Sequence, residues 1–380
     1  MSIADVSGQS AKLEIPVTKV EKLLVASQWQ LIRWKFARHR LAVASLIVLV
    51  IFYLFAIFAE FFAPYAPGHH DVDLPFLPPQ SVHFFDNGRF QWRPFVYGFS
   101  SEFNPNTYET TYIVDKALKY PIHFYAKGDP YEMWGLFGGD RHLFGVEEGT
   151  VFLFGADSKG RDVLSRSIHG GRVSLSIGLV GIAISSLIGI FMGGISGYYG
   201  GVTDLIIQRV IEFIRSIPTL PLWMALSVAL PPTWTIIQTY FGIVVVLSLV
   251  GWTGLARVVR GKFMSLREED FVMAARLNGS REIRTIFTHL LPSFYSHVIA
   301  SLTLSVPDMI LGETALSFLG LGMQSPAVSW GVLLRDAQYI RVLASSPWLL
   351  LPGLLVVVAI LCFNFMGDGL RDAADPYASI

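Results

Sequence analysis

Hydrophobic positions in this chain come in long unbroken blocks, not in the alternating or one-faced patterns of a water-covered fold. A helix needs roughly 20 mostly apolar residues to cross ~30 Å of hydrocarbon, so stretches free of Asp, Glu, Lys and Arg mark the spans. Leu41 to Ala59 is one such stretch and Val173 to Thr203 holds another. Ser216 to Ala256 carries no charge and is too long for one helix; Pro231-Pro232-Thr233 near its middle is a turn signal that splits it in two. Leu290 to about Leu311, interrupted by Asp308, and Val342 to Gly367 complete a pattern that predicts six helices.

Composition agrees. Of 380 residues 52% are hydrophobic and 15% charged, against about 25% charged in a soluble domain, and mean hydropathy is +0.50. That leaves too little polar surface for a water-soluble particle, so the chain reads as an integral membrane protein. Its 29 basic and 29 acidic side chains cancel, which leaves no basic field to hold nucleic acid. The single cysteine, Cys362, excludes an intramolecular disulfide and a cysteine-based metal cluster, and reads as a small packed hydrophobe. The first apolar run is too long for the core of a cleavable signal and reads as a permanent span.

Basic residues near the ends of short loops set orientation. Arg33, Lys35, Arg38 and Arg40 precede the first span and predict a cytoplasmic N-terminus. Six spans then put the segment between the fourth and fifth in the cytoplasm too. It holds Arg257, Arg260, Lys262, Arg267, Arg276, Arg281 and Arg284, the densest basic cluster in the chain. Phe61 to Arg172 is external on this reading, net negative and dense in Phe, Tyr and Trp. Its punctuation at Asp86-Asn87-Gly88, Asn104-Pro105-Asn106 and Gly128-Asp129-Pro130 predicts loops and short strands, with the aromatics either forming the core of a folded cap or stacking on a ligand or partner.

Glu268 to Pro292 reads as two short helices. Glu269 and Asp270 place negative charge at the first N-terminus, and Asn278-Gly279 supply the left-handed residue that ends it. Ser280 is the expected cap of the second, whose Ile283, Ile286, Phe287 and Leu290 fall on one face. On the first, small Ala274 and Ala275 let another surface come close, and Arg276 and Arg281 offer charge to acids on a partner. A plain connecting hairpin at the membrane surface is the alternative.

Asp270-Phe-Val-Met-Ala274-Ala275-Arg276-Leu-Asn-Gly279, followed after nine residues by His289-Leu-Leu-Pro292, is similar to the EAA loop of ABC importer permeases, with Met273 in the glutamate position and His289 in the isoleucine position. Phe154-Gly-Ala-Asp157-Ser-Lys-Gly160-Arg161-Asp162-Val-Leu-Ser165-Arg166 with Gly171-Arg172-Val-Ser174-Leu175 resembles a block of the C-type subunit of dipeptide/oligopeptide permeases. Glu313 to Gly322, Pro326 to Gly331 and Gly367 to Pro376 resemble three further signatures of that group, in order. The resemblance implies a type I importer fold, all-α and integral to the bacterial inner membrane, with six spanning helices and a large external lobe between the first two. It implies half of a translocation path for peptides, paired with a second homologous permease, two cytoplasmic ATPase subunits and an external solute-binding protein. Residues Asp270, Ala274, Ala275, Arg276, Gly279, His289 and Pro292 would then form the ATPase-coupling site. No phosphate-binding loop occurs here, so ATP and Mg belong to the partner subunits and this chain carries no cofactor and no catalytic residue.

The resulting division is a cytoplasmic segment 1–40, a first span 41–62, an external segment 63–172, a five-helix core 173–368 with the coupling loop at 260–292, and a cytoplasmic tail 369–380. Asp308 and Glu313, acids toward the outer end of the fifth span, are candidates for the translocation path, with anchoring at the helix end as the alternative. Arg209, Glu212 and Arg215 share one helix face and are expected to pair with one another. His69, His70, Asp71 and Asp73 are close in sequence without a defined ligand spacing, a weak metal signal. Asp157, Arg161, Asp162 and Arg166 are expected to fix the chain at the outer surface. Competing readings are an importer of oligosaccharides and, in another class, a self-contained channel or secondary transporter, which would need coupling acids deep in the membrane and often an internal repeat.

Overall fold

The apolar blocks fold as helices and the aromatic segment between the first two as antiparallel sheet in the computed structural model, which describes residues 27–86, 88–105, 109–290 and 294–374. Helix α1 (Gln28–Arg38) opens on a capping box in which Ser27 and Gln30 exchange hydrogen bonds. Helices α2 (Arg40–Ile57) and α3 (Ala59–Phe62) follow. After the sheets come α4 (Val163–Tyr199), α5 (Gly201–Ser216), α6 (Thr219–Val228), α7 (Ile236–Leu266), α8 (Asp270–Leu277), α9 (Glu282–Arg284), α10 (Tyr295–Phe318), α11 (Trp330–Leu333), α12 (Ile340–Ser345) and α13 (Leu351–Ala374).

Among the described residues five helices are long and apolar enough to cross a membrane, not the six expected: α2, α4, α7, α10 and the helical stretch Pro347–Ala374. The remaining expected crossing falls on α5 and α6, neither of which meets that length and hydropathy alone. Pro218 pushes Ile217 into extended backbone (φ −92°, ψ 132°), which breaks the helix and leaves α6 only ten residues, about 15 Å, long. The turn at Pro231-Pro232 separates α6 from α7 as expected. Helix α4 begins at Val163 instead of Val173 because its polar first turns find partners: Arg172 donates two hydrogen bonds to Glu60, at 2.6 and 2.7 Å, and Arg166 pairs with Asp157. Glu60 is thereby held below the usual carboxylate range; burial works the other way and is outweighed by Arg172.

Helices α4 and α7 run parallel in very close contact. Gly181, Ser185, Gly189, Gly193 and Gly197 recur every fourth residue on the facing side of α4, a spacing that brings helix backbones together. A Cβ on Gly193 would stand 2.4 Å from the Ala256 carbonyl oxygen, and one on Gly197 2.6 Å from that of Arg260. Helix α10 crosses the same helix antiparallel, with Ile310 over Gly178, and α13 packs Gly369 on Ala42 of α2. Buried Leu49, Leu175, Val306, Ile310, Trp330 and Ala359 join five helices, α2, α4, α10, α11 and α13, in one core.

The lobe is more regular than expected. Strands β1 (His83–Asp86), β2 (Arg89–Asn104) and β3 (Glu109–Pro121) form one antiparallel sheet, and β4 (His123–Met133) and β5 (Phe137–Gly145) a second. Gly128-Asp129-Pro130 does not end a strand; it sits at the register shift between Lys127 and Tyr131 inside β4, an irregularity that tolerates a residue without an N–H. The aromatics divide into a packed set and an exposed set. Tyr65, Phe99, Tyr112 and Phe152 pack around Leu77 at the base of the lobe, whereas Trp92 is 91% exposed and Phe85, Phe124 and Phe137 also face outward.

Candidate functional site

The block from Phe154 to Arg166 forms the joint between lobe and membrane core. The Ala156 N–H donates to the Leu77 carbonyl (2.8 Å), Phe76 to Asp157 (3.0 Å) and Asp71 to Gly160 (3.0 Å). Gly160 has φ +69°, and a Cβ there would meet the Asp71 carbonyl oxygen at 1.8 Å, so no other residue fits. The Asp157 carboxylate gathers Arg161 and Arg166, while Asp162 caps α4 by accepting from the amides of Leu164 and Ser165. Burial pushes Asp162 up to about 6, against the effect of those donors. Ser158 donates to Asp336 and the Trp348 indole to Ala156, so segments near the end of the chain are held to the same joint. His69 is paired with Asp129 at 3.0 Å and stacked on Tyr65. Among the described residues no three His, Cys, Asp or Glu gather as metal ligands.

At the other end of the spans, α8 stands on a layer built from the ends of α4, α7 and α10. Val272, Ile286 and Leu290 are buried with Tyr198, Val259, Phe263, Phe294 and Val298. Gly279 has φ +75°, and Ser280 N donates to the Ala275 carbonyl (3.1 Å), the six-to-one bond that ends a helix on a left-handed residue. With Val272 turned inward, α8 turns Asp270, Met273, Ala274 and Leu277 outward at helical spacing; Ala275 is half-buried and Leu277 is 89% exposed. The second helix differs from expectation. Arg281, not Ser280, is its cap, α9 lasts three residues, and Thr285–Leu290 continue as π-helix. Tyr199 at the end of α4 donates to Glu282 (2.6 Å), tying α9 to the core. The side chains of Arg276, Ile283, Phe287 and His289, and all of Pro292, lie outside the described residues.

The two acids of α10 part company. Glu313 is fully buried and accepts from Ser174 (2.9 Å) and Ser317 (2.8 Å). Ser174 Oγ in turn accepts from the Trp330 amide, so Glu313 joins α4, α10 and α11, and it is not among the cavity-lining residues. Asp308 does line a cavity, of about 540 Å³, between the start of α6, the middle of α7 and α10. It lies near the middle of α10, deeper than its sequence position implied. Arg215 lines the same cavity, and here the expected face breaks up: Arg209 pairs with Glu212 at 2.8 Å while Arg215 reaches to 3.8 Å from where a Cβ on Gly254 would stand. Asp204 pairs with Arg260 across α5 and α7, and Arg260's hydrogen bonds hold its carboxyl below the usual range. Trp223 is a further wall residue that sequence reasoning passed over, since an apolar block offers no sign of which rings face a cavity. Arg215 carried a faint sign, as the last charge before the uncharged stretch from Ser216.

An all-helical core with several helices apolar and long enough to cross a membrane, and a short surface-presented helix at one end, defines a polytopic membrane protein. The profile of the family described as binding-protein-dependent transport system inner membrane component matches residues 185–379, and that of the N-terminal TM domain of oligopeptide transport permease C matches residues 27–79. The chain belongs to this family of membrane permease subunits. It is similar to the oligopeptide transport system permease protein OppC of Haemophilus influenzae, 43% identical over 60% of this chain and 71% of that protein. It is also similar to the dipeptide transport system permease protein DppC of Bacillus subtilis, 39% identical over 59% and 68%. Among solved structures, a chain of the inward-facing MetNI methionine ABC transporter aligns with a TM-score of 0.41 and 18% identity, over 55% of this chain and 96% of that one.

Proposed function

We propose that this chain is one membrane-spanning half of an ATP-driven importer of peptides in the bacterial inner membrane, with its N- and C-termini in the cytoplasm. A second, homologous permease completes the path, two cytoplasmic ATPase subunits bind ATP and Mg and drive it, and an external binding protein delivers the cargo. The observation that carries the reading is the outward face of α8. Asp270, Met273, Ala274 and Leu277 cover a helix that is buried on its other side through Val272 and stopped at Gly279. A short helix held at both ends transmits a partner's displacement as a rigid body, because packed elements shift between discrete arrangements and do not bend continuously. Coupling therefore runs through α8 into α4, α7 and α10. The relatives named as oligopeptide and dipeptide permeases support a peptide cargo.

Within this reading the lobe, with Trp92 and Phe85 facing outward, receives the binding protein, and Asp308 belongs to the translocation path while Glu313 anchors helices. The test is uptake of radiolabelled trialanine into proteoliposomes containing the purified complex with its binding protein. Uptake that requires ATP is expected; uptake at the same rate without ATP, driven by an ion gradient, would overturn the reading in favour of a secondary transporter.

A further inference from the structure

We propose that the cavity between α6, α7 and α10 is a binding site for a zwitterion, whose ammonium end faces Asp308 and whose carboxylate end faces Arg215. The inference rests on the importer reading and deepens it by naming the chemistry of the cargo.

At about 540 Å³ the cavity falls within the ~300–1,000 Å³ of small-molecule sites. Asp308 lies about 20 Å along α10 from its first residue, which is mid-membrane depth, where an ionised side chain is costly unless it faces water or a counter-charge. Arg215 reaches the same depth over Gly254, at the middle of α7. Among the described residues neither side chain takes part in an ion pair or hydrogen bond, and they are not joined to each other. Elsewhere on α5 and α7, Arg209 is paired with Glu212 and Arg260 with Asp204. One acid and one base thus line a single cavity with their charges uncompensated.

A third group on the same wall is also unspent. The Trp223 indole N–H is buried without an acceptor, a situation that costs stability unless something else fills it. The six-membered edge of the ring lies against Gly312, where a Cβ would stand 2.9 Å away, so the glycine leaves room for the ring at this wall. An acid, a base and a neutral donor in one cavity match an ammonium, a carboxylate and an amide carbonyl. A neutral oligosaccharide would leave both charges without counterparts, and a simple cation or anion would leave one. A short peptide with both ends free satisfies all three.

The test uses the purified membrane complex in nanodiscs without the binding protein, so that selection by that protein does not enter. Trialanine, N-acetyl-trialanine and trialaninamide compete against radiolabelled trialanine. Trialanine is expected to compete at least tenfold better than either blocked form. Asp308→Asn erases the preference for a free amino end and keeps that for a free carboxylate; Arg215→Gln does the reverse; Asp308→Glu and Arg215→Lys keep both. Variants that lose both preferences together, or neither, overturn the proposal, as do blocked peptides that compete equally well in the wild type or the absence of trialanine binding. ATP-dependent uptake by the wild type reports separately on the importer reading, which stands if uptake persists while the end-group preferences fail.

Discussion

Two adjacent glycines on α4 offer a controlled perturbation of the closest helix contact in the core. A methyl group at Gly193 would lie 2.4 Å from the Ala256 carbonyl oxygen and 2.9 Å from both Ala256 Cα and Val259 Cβ. All three atoms are backbone or Cβ, so relief requires moving α7 by about an ångström, since ordinary carbon contacts begin near 3.5 Å. A methyl at Gly194 would meet only the Phe263 ring at 3.6 Å, an ordinary contact. Both substitutions by alanine gain the same helix propensity, about 1 kcal/mol, and that gain cancels in the comparison. What remains is the cost of overpacking, about 1–3 kcal/mol. Gly193→Ala is therefore expected to be less stable than Gly194→Ala by ~1–3 kcal/mol in an SDS titration of the purified complex in mixed micelles. Equal stability of the two, or a more stable Gly193→Ala, would refute the backbone contact between α4 and α7.

Three further outcomes follow from named contacts. Glu313→Ala leaves the hydroxyls of Ser174 and Ser317 without their shared acceptor and is expected to destabilise the complex by ~1–3 kcal/mol in the same titration, with Glu313→Gln recovering part of the loss. Asp162 holds its proton to about pH 6 when folded but to about pH 4 when unfolded. Its contribution to stability is complete below pH 4 and is lost as pH rises to about 6; Asp162→Asn, which keeps a capping oxygen, should gain on the wild type across that window, and a constant difference would count against the burial argument. Trp92→Ser, at a fully outward position, should leave assembly intact while lowering stimulation of ATP hydrolysis by the binding protein severalfold; unchanged stimulation removes that ring from the docking surface.

Much of the membrane core is legible from local pattern, and the exceptions share one cause. Pro231-Pro232 and Gly279 act through their own backbone geometry, so the turn before α7 and the end of α8 could be read directly. The start of α4 could not, because Arg166 and Arg172 are helical by virtue of Asp157 and Glu60, partners distant in sequence or outside the helix. The same holds for β2 and β3, whose length comes from pairing Phe95 with Pro121 through Phe99 with Val114, a register no single stretch encodes. Of the candidate residues, the outward face of α8 follows from helical spacing once Val272 is known to be buried. Asp308 and Glu313 look alike in sequence, five residues apart in one helix; only the third dimension gives one a cavity and the other three serines and a tryptophan amide as neighbours. Arg215 shares a helix face with Glu212 by spacing, yet Glu212 pairs with Arg209 and Arg215 lines the cavity.

The most direct test of the central claim is recovery of the tagged chain in mild detergent from its native cells, wild type beside Leu277→Asp and Ala274→Arg, with identification of whatever accompanies it. Both substitutions fall on the exposed face of α8, where the fold makes no demand on them. The account predicts that the wild type brings down a second permease and ATPase subunits, and that the variants keep the permease while losing the ATPases. Wild-type protein recovered alone, or ATPase subunits retained equally by both variants, would contradict it.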